Sequence, residues 1–443
     1  MTKMKTIKQA LGALVLLGGA AVFLNTFAPS DSLNFDPARL SRINTHYTAA
    51  IADQQVVGAR AVIFQNNKIV YAQNWGYADQ ENKKPLADDT ILHFFSMTKP
   101  ITSVAVMMLF EEGKFLLHDP IAKYIPELAN LQVYDAETGT GNPPVRKAAR
   151  QPTIHDVLTH RAGFTYGYFD LSPLGDLYRQ SNINDPQADL SKFVTDLGKL
   201  PLKYDPGTKW HYAVSTDVLG RLVEVVSGQT FGAFLQTRIF DPLNMVDTGF
   251  KYDPATADRL AGLYSQSGIT EQFGEKGFFA RSSGPGHEPA HPQLVMSHGD
   301  TGKFESGGSG LLSTTHDYLR FARMLLNGGE LDGVRLLAPA TVALMRRDHV
   351  GDTEPLQRMT SIQLNEGIGF GLGFGVIKDQ GLSKLAMPDD SFFWGGAAGT
   401  FFWIDPRNEL IGMFVAQVVP HRTTLRQDMW GLTYQSILDD RLN

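Results

Sequence analysis

The chain has 443 residues, 43% of them hydrophobic and 19% charged, a balance that fits a folded enzyme and excludes a disordered chain or a multi-span membrane protein. Lys and Arg number 40 against 46 Asp and Glu, a formal charge of −6, so there is no basic field to hold a nucleic-acid backbone. Cysteine is absent, which rules out thiol nucleophiles, thiolate metal sites and disulfides.

Lys3, Lys5 and Lys8 precede an apolar run from Ala10 to Leu24. A basic segment followed by such a run reads as a secretory signal or signal anchor over residues 1–30. It predicts export to the periplasm of a bacterium, or anchorage to its inner membrane, although the run is short for a comfortable membrane span. A polar, Pro-containing linker follows, and the folded domain is expected over 36–443. Residues 37–53 predict an opening helix. Residues 60–65 and 68–73 are apolar, β-branched runs joined by Asn66-Asn67, a two-residue hairpin signal.

Residues 96–112 are apolar at helical spacing and stop at Gly113. Thr153 stands as an N-cap with Asp156 at the capping-box position. Residues 217–227 predict a helix ended by Gly228, and residues 231–239 another. Residues 251–302, rich in Gly, Ser, Pro and His, read as a long irregular loop. Helices are predicted at 314–327 and 338–346, and a Gly-aromatic strand at 369–375. Three strands follow at 392–394, 400–404 and 409–417, the last two joined by a turn at Asp405–Asn408. A helix over 425–438 closes the chain. Strands at both ends with helices between predict an α+β fold. One antiparallel sheet comes from 36–92 and 303–443, flanked by helices, and a mainly helical region is inserted at 93–302.

Ser96 and Lys99 stand three residues apart at a helix start, so they share a face and the amine can reach the hydroxyl. A free serine is a poor nucleophile and needs such a base. Burial among Phe94, Phe95 and Met97, together with the positive end of the helix, pushes a lysine toward its neutral form. About one S-x-x-K arises by chance in a chain of this length. The plain alternative is a helix cap beside a surface lysine.

Context outweighs that alternative. The segments Asp89–Pro100, Leu116–Pro126, Ile154–Phe164, Pro206–Ser215 and Ser306–Leu311 resemble, in order, the serine β-lactamase-like and penicillin-binding-protein-like hydrolases. The resemblance runs from Asp36 to the C-terminus and is greatest to carboxylesterases that share the class C β-lactamase fold. It implies the β-lactamase/transpeptidase-like fold, with Ser96 as nucleophile, Lys99 as its partner and Tyr212 as the tyrosine of the second motif. That tyrosine shuttles a proton to the leaving group as phenolate or hydroxyl. The resemblance also implies an oxyanion hole from the backbone N–H groups of Ser96 and Ala397, and substrate contacts at Trp394, Gly395 and Gly396. Core packing for Trp394 and a bulge for the glycines are the plain alternatives.

Two departures matter. Val214 stands where β-lactamases carry Asn, with Asp217 downstream as a helix cap or a supporting group. Trp394-Gly395-Gly396-Ala397 stands where they carry a cation followed by Thr-Gly, which weakens recognition of an anionic substrate unless an Arg from the 251–302 loop substitutes. The sequence thus predicts a serine hydrolase that cleaves small-molecule carboxylic esters through a Ser acyl-enzyme. It is carboxylesterase-like and has no metal or organic cofactor. The rivals are a β-lactamase or D-alanyl carboxypeptidase or aminopeptidase of the same fold, a non-catalytic cell-envelope binding protein on the same scaffold, and an acyltransferase using the same acyl-enzyme. His287, His291 and His298 read as a solvated loop, and His155 and His160 as structural residues of one helix.

Overall fold

The computed structural model describes residues 33–295, 302–351 and 366–438. The signal or anchor expected over 1–30 lies outside them, as does His298.

The sheet begins at the Asn66-Asn67 hairpin. Both asparagines take left-handed backbone angles, φ 49° and 60°, which Asn tolerates and a two-residue hairpin requires. They join Gly58–Gln65 to Lys68–Asp79. Gly58–Gln65 is buried along its whole length because it is an interior strand. On its other side it pairs antiparallel with Leu410–Ala416, so Ala61 faces Phe414 and the two ends of the chain meet in one sheet. Phe401–Asp405, Phe392–Gly395, Gly375–Ile377 and Ile368–Phe370 extend the sheet outward on that side.

Helices cover both faces. On one side lie Pro37–Ala52 and Leu425–Gln435. Tyr47 stacks 4.9 Å from Phe414 and donates to the Leu425 carbonyl at 2.7 Å, tying both helices to the sheet. On the other side lies Thr315–Leu326, whose N-cap is Thr314. Its Tyr318 packs 5.1 Å from Phe402 and donates to the Met97 carbonyl at 2.9 Å. Behind it runs Thr98–Glu111, buried on nearly every face, as expected of a helix apolar all round. Ser215–Ser227 packs against that helix and ends at Gly228 with φ 73°. The capping box at Thr153 and Asp156 forms in both directions. Among the described residues no helix is long and apolar enough to cross a membrane.

Two expectations are corrected. Residues 251–302 are not a structureless loop. Tyr264–Gln266 pairs with His287–Pro289, and the helix Thr270–Lys276 lies between them. Scattered apolar residues at irregular spacing (Leu263, Phe273, Phe278 and Leu294) are buried together there, a pattern that has neither helical nor strand period. The run at 369–375 is not one strand but two, Ile368–Phe370 and Gly375–Ile377. Gly373, at φ 99°, permits the turn between them, and the Gly371 N–H donates to the Phe374 carbonyl at 2.8 Å.

Candidate active site

Ser96 sits in a tight turn, Phe95–Met97, just before the Thr98–Glu111 helix. Phe95 has φ 47°, a left-handed conformation that costs a bulky residue about 1–3 kcal/mol. The surroundings hold it there. The Phe94 N–H donates to the Leu311 carbonyl at 3.1 Å, and the Phe94 carbonyl accepts from Thr400 Oγ1 at 3.1 Å. The strained turn leaves Ser96 half-buried at the head of the helix, with Lys99 one turn on and 1% exposed.

The structure brings the three expected side chains together. Ser96 Oγ lies 3.1 Å from Lys99 Nζ and accepts from the Tyr212 hydroxyl at 2.6 Å. Lys99 Nζ also reaches the Gly308 carbonyl at 2.7 Å and the Tyr166 hydroxyl at 3.2 Å, and it lies 4.6 Å from the centre of the Tyr212 ring. A neutral amine has two N–H groups and a lone pair. With the two N–H groups on Gly308 and Tyr166, the lone pair is left for the Ser96 proton. Burial lowers the Lys99 pKa from 10.5 to about 7, with the Asp217 charge opposing the shift. Burial likewise raises the Tyr212 pKa, so Tyr212 stands as a neutral phenol. Of the two forms the sequence left open for this tyrosine, these electrostatics favour the hydroxyl.

Asp217 is not a helix cap. Val214 takes the cap position, and no side chain bonds there. The buried Asp217 carboxylate reaches across, accepting from Ser306 Oγ at 2.5 Å and from the Gly308 N–H at 3.0 Å. It thereby fixes the loop whose carbonyl holds Lys99. His160 is not on one helix with His155, although its role is structural. It lies beyond the helix Ile154–Leu158, with φ 55°, and its buried ring packs 4.8 Å from that of Tyr212. Its Nδ1 accepts from the Ala213 N–H at 3.3 Å, so it buttresses the Tyr212 segment. His155 pairs with His349 at 3.0 Å, away from this centre.

Trp394 is 1% exposed and packs 5.6 Å from Tyr212 and 5.2 Å from Phe370. Its indole N–H is buried, and its interaction with Tyr212 favours charge on the phenol oxygen. Gly396 presses on the turn that carries Ser96. A Cβ there would come to 2.2 Å from the Phe94 carbonyl oxygen, which explains glycine at this position. Ala397 packs with Phe95, Phe169, Phe278 and Ala398 in an apolar cluster separate from the main core. The 251–302 loop holds two arginines. Arg259 is bound to Asp247 at 2.7 Å, and Arg281 is exposed. His291 caps a turn by accepting from the Gln293 N–H, and no group of three His, Asp or Glu among the described residues could hold a metal.

Sequence reasoning missed Tyr166, the Gly308 carbonyl and the strained Phe95. Ser306–Leu311 was recognised as a motif, but a backbone carbonyl has no residue signature. Tyr166 stands 67 positions from Lys99, beyond any local spacing rule.

The Beta-lactamase family model matches residues 43–429. Esterase EstB of Burkholderia gladioli is 29% identical over 84% of this chain and 89% of its own length. Lovastatin esterase of Penicillium rubens is 30% identical over 76% of this chain and 82% of its own. The solved structure of EstCE1, a hydrolase with promiscuous acyltransferase activity, superposes with a TM-score of 0.70 at 23% identity, covering 90% of this chain and 98% of that one, a likeness of fold. The sheet, its covering helices and the match along most of its length lead to one conclusion: the chain belongs to the beta-lactamase family.

Proposed function

We propose that the chain is an exported serine hydrolase that cleaves carboxylic esters through an acyl-enzyme on Ser96. The observation that carries this reading is one serine oxygen in contact with both a buried lysine at 3.1 Å and a neutral phenol at 2.6 Å. Ser96 Oγ attacks the ester carbonyl carbon while its proton passes to the neutral Lys99. The oxygen of the tetrahedral intermediate takes hydrogen bonds from the Ser96 and Ala397 N–H groups. Collapse breaks the carbon–oxygen bond of the alcohol. The alkoxide takes the Tyr212 proton, and Lys99 restores it. Water then attacks the acyl carbon by the same route in reverse and frees Ser96.

An ester is favoured over a β-lactam or a peptide terminus because Trp394 stands where the resemblance puts a carboxylate-binding cation, and Arg426, the cation beside Gly395 and Gly396, is buried and bonded to the Gly396 carbonyl. The ester names of EstB and the lovastatin esterase point the same way. The cluster of Phe95, Phe169, Phe278 and Ala398 beside Ser96 and Ala397 suits an apolar acyl or alcohol group. The test compares p-nitrophenyl butyrate with nitrocefin, using the parent chain beside Ser96→Ala and Lys99→Ala. Fast ester turnover, slow nitrocefin turnover and a loss of at least about a hundredfold in both variants are expected. Nitrocefin turned over faster than the ester would instead make the chain a β-lactamase.

A further inference from the structure

Arg426 is the second residue of the C-terminal helix and is 4% exposed. Its Nη2 donates to the Gly396 carbonyl. Its Nη1 lies close enough to Gly395 that a Cβ there would approach it to 3.0 Å. Two effects disfavour a cation in this place, the loss of water and the positive end of a helix. Burial accordingly lowers the Arg426 pKa to about 9, and the electrostatic interaction with Tyr212 opposes that shift.

What the guanidinium holds accounts for its position. The Gly396 carbonyl and the Ala397 N–H are the two ends of one planar peptide group. A charged donor on the carbonyl draws electron density from the nitrogen and strengthens the N–H as a donor. It also fixes the plane of the group. The Gly396 carbonyl accepts a second bond from the Gly399 N–H at 3.2 Å, and the next carbonyl, that of Ala397, accepts from the His421 N–H at 3.0 Å. Both carbonyls that flank the Ala397 N–H are therefore anchored. No described group accepts from that N–H, and Ala397 is only half-buried.

We propose that Arg426 is a positioning residue for ester cleavage. Its guanidinium clamps and polarises the Gly396–Ala397 peptide, so that the Ala397 N–H is aimed at the oxygen that becomes negative in the tetrahedral intermediate. The inference rests on the ester-hydrolase reading above. Arg426 itself makes no contact with substrate in this scheme. It acts through a neighbour's N–H.

The experiment measures kcat and KM for a neutral p-nitrophenyl ester in Arg426→Gln, Arg426→Lys and Arg426→Ala, with Ser96→Ala alongside. Loss of a whole oxyanion donor costs about 10²–10³ in kcat, so loss of its clamp is expected to cost about 10- to 100-fold with KM nearly unchanged. Affinity for an alkylboronic acid falls in parallel, because Ser96 adds to boron to give a tetrahedral anion in the same site. Added ethylguanidinium restores part of the kcat of Arg426→Ala, which a structural role would not allow. Arg426→Lys keeps a cation and guards against a folding defect, and its kcat lies between those of the parent and Arg426→Gln. Full kcat in Arg426→Gln beside an inactive Ser96→Ala overturns the inference and leaves the ester-hydrolase reading intact. A loss confined to KM for carboxylate-bearing esters also overturns it, making Arg426 a substrate anchor. An active Ser96→Ala overturns the ester-hydrolase reading itself.

Discussion

Replacing Lys99 with methionine should abolish activity and remove a pH-dependent cost to the stability of the fold. Lys99 is fully buried, and its pKa falls from 10.5 to about 7. At about 1.4 kcal/mol per pH unit, that difference means the folded state bears a cost on the order of 5 kcal/mol for Lys99 whenever both states are protonated. Between pH 7 and 10.5 the unfolded chain binds the proton that the folded chain has released, so stability rises with pH across that window. Below pH 7 the full cost applies. Above 10.5 it vanishes. Lys99→Met keeps the length of the side chain and removes the cost, while losing the bonds to Gly308 and Tyr166. Each of those bonds offsets roughly 1–3 kcal/mol. The two bonds together offset about 2–6 kcal/mol, so the net change at pH 6 runs from about −1 to +3 kcal/mol, and at pH 9 it lies about 3 kcal/mol lower. Urea unfolding of both proteins at the two pH values measures it. A stability difference between the two proteins that is the same at both pH values would refute the claim that Lys99 is held against its charge.

The same pKa predicts the pH dependence of catalysis. With neutral Lys99 as base, kcat/KM rises with pH to half its plateau near pH 7, and a half-point near 10 in the pH–rate profile would exclude a buried base. Tyr212→Phe removes the proton donor but keeps the ring against Trp394, so kcat should fall by about 10²–10⁴ while the melting temperature moves little. Gly396→Ala places a Cβ at 2.2 Å from the Phe94 carbonyl oxygen and 2.3 Å from Thr400 Oγ1. That overlap should displace the Ser96 turn and cut both thermal stability and the acylation rate, and unchanged values of the two would contradict the close approach.

Much of this arrangement was legible because it is written in local chemistry. Asn66-Asn67 marks its hairpin by backbone preference alone, and Thr153 with Asp156 marks its helix by reciprocal bonds within one turn. Ser96 and Lys99 are read together because one helical turn separates them. Tyr212 became readable only through its motif, since the fold carries it 116 positions along the chain to Ser96. What escaped the sequence is made of backbone or of distant partners. The Gly308 carbonyl that holds Lys99 has no side chain to recognise. Arg426 reads as an ordinary helix residue until the sheet brings Gly396 beside it. Asp217 stays open in the sequence between a cap and a supporting group, because its place in the first helical turn is shared by caps and by residues that reach elsewhere. The 251–302 segment misled because its buried residues are anchored by tertiary contacts, which leave no period in the sequence.

The most direct test of the account is to trap the acyl-enzyme. The protein is mixed with a slowly deacylating p-nitrophenyl ester, quenched in acid, digested and analysed by mass spectrometry. The account predicts one acyl group per chain, on the peptide that contains Ser96, and none in Ser96→Ala. An acyl group on another residue, or ester turnover by Ser96→Ala at the parent rate, would contradict it.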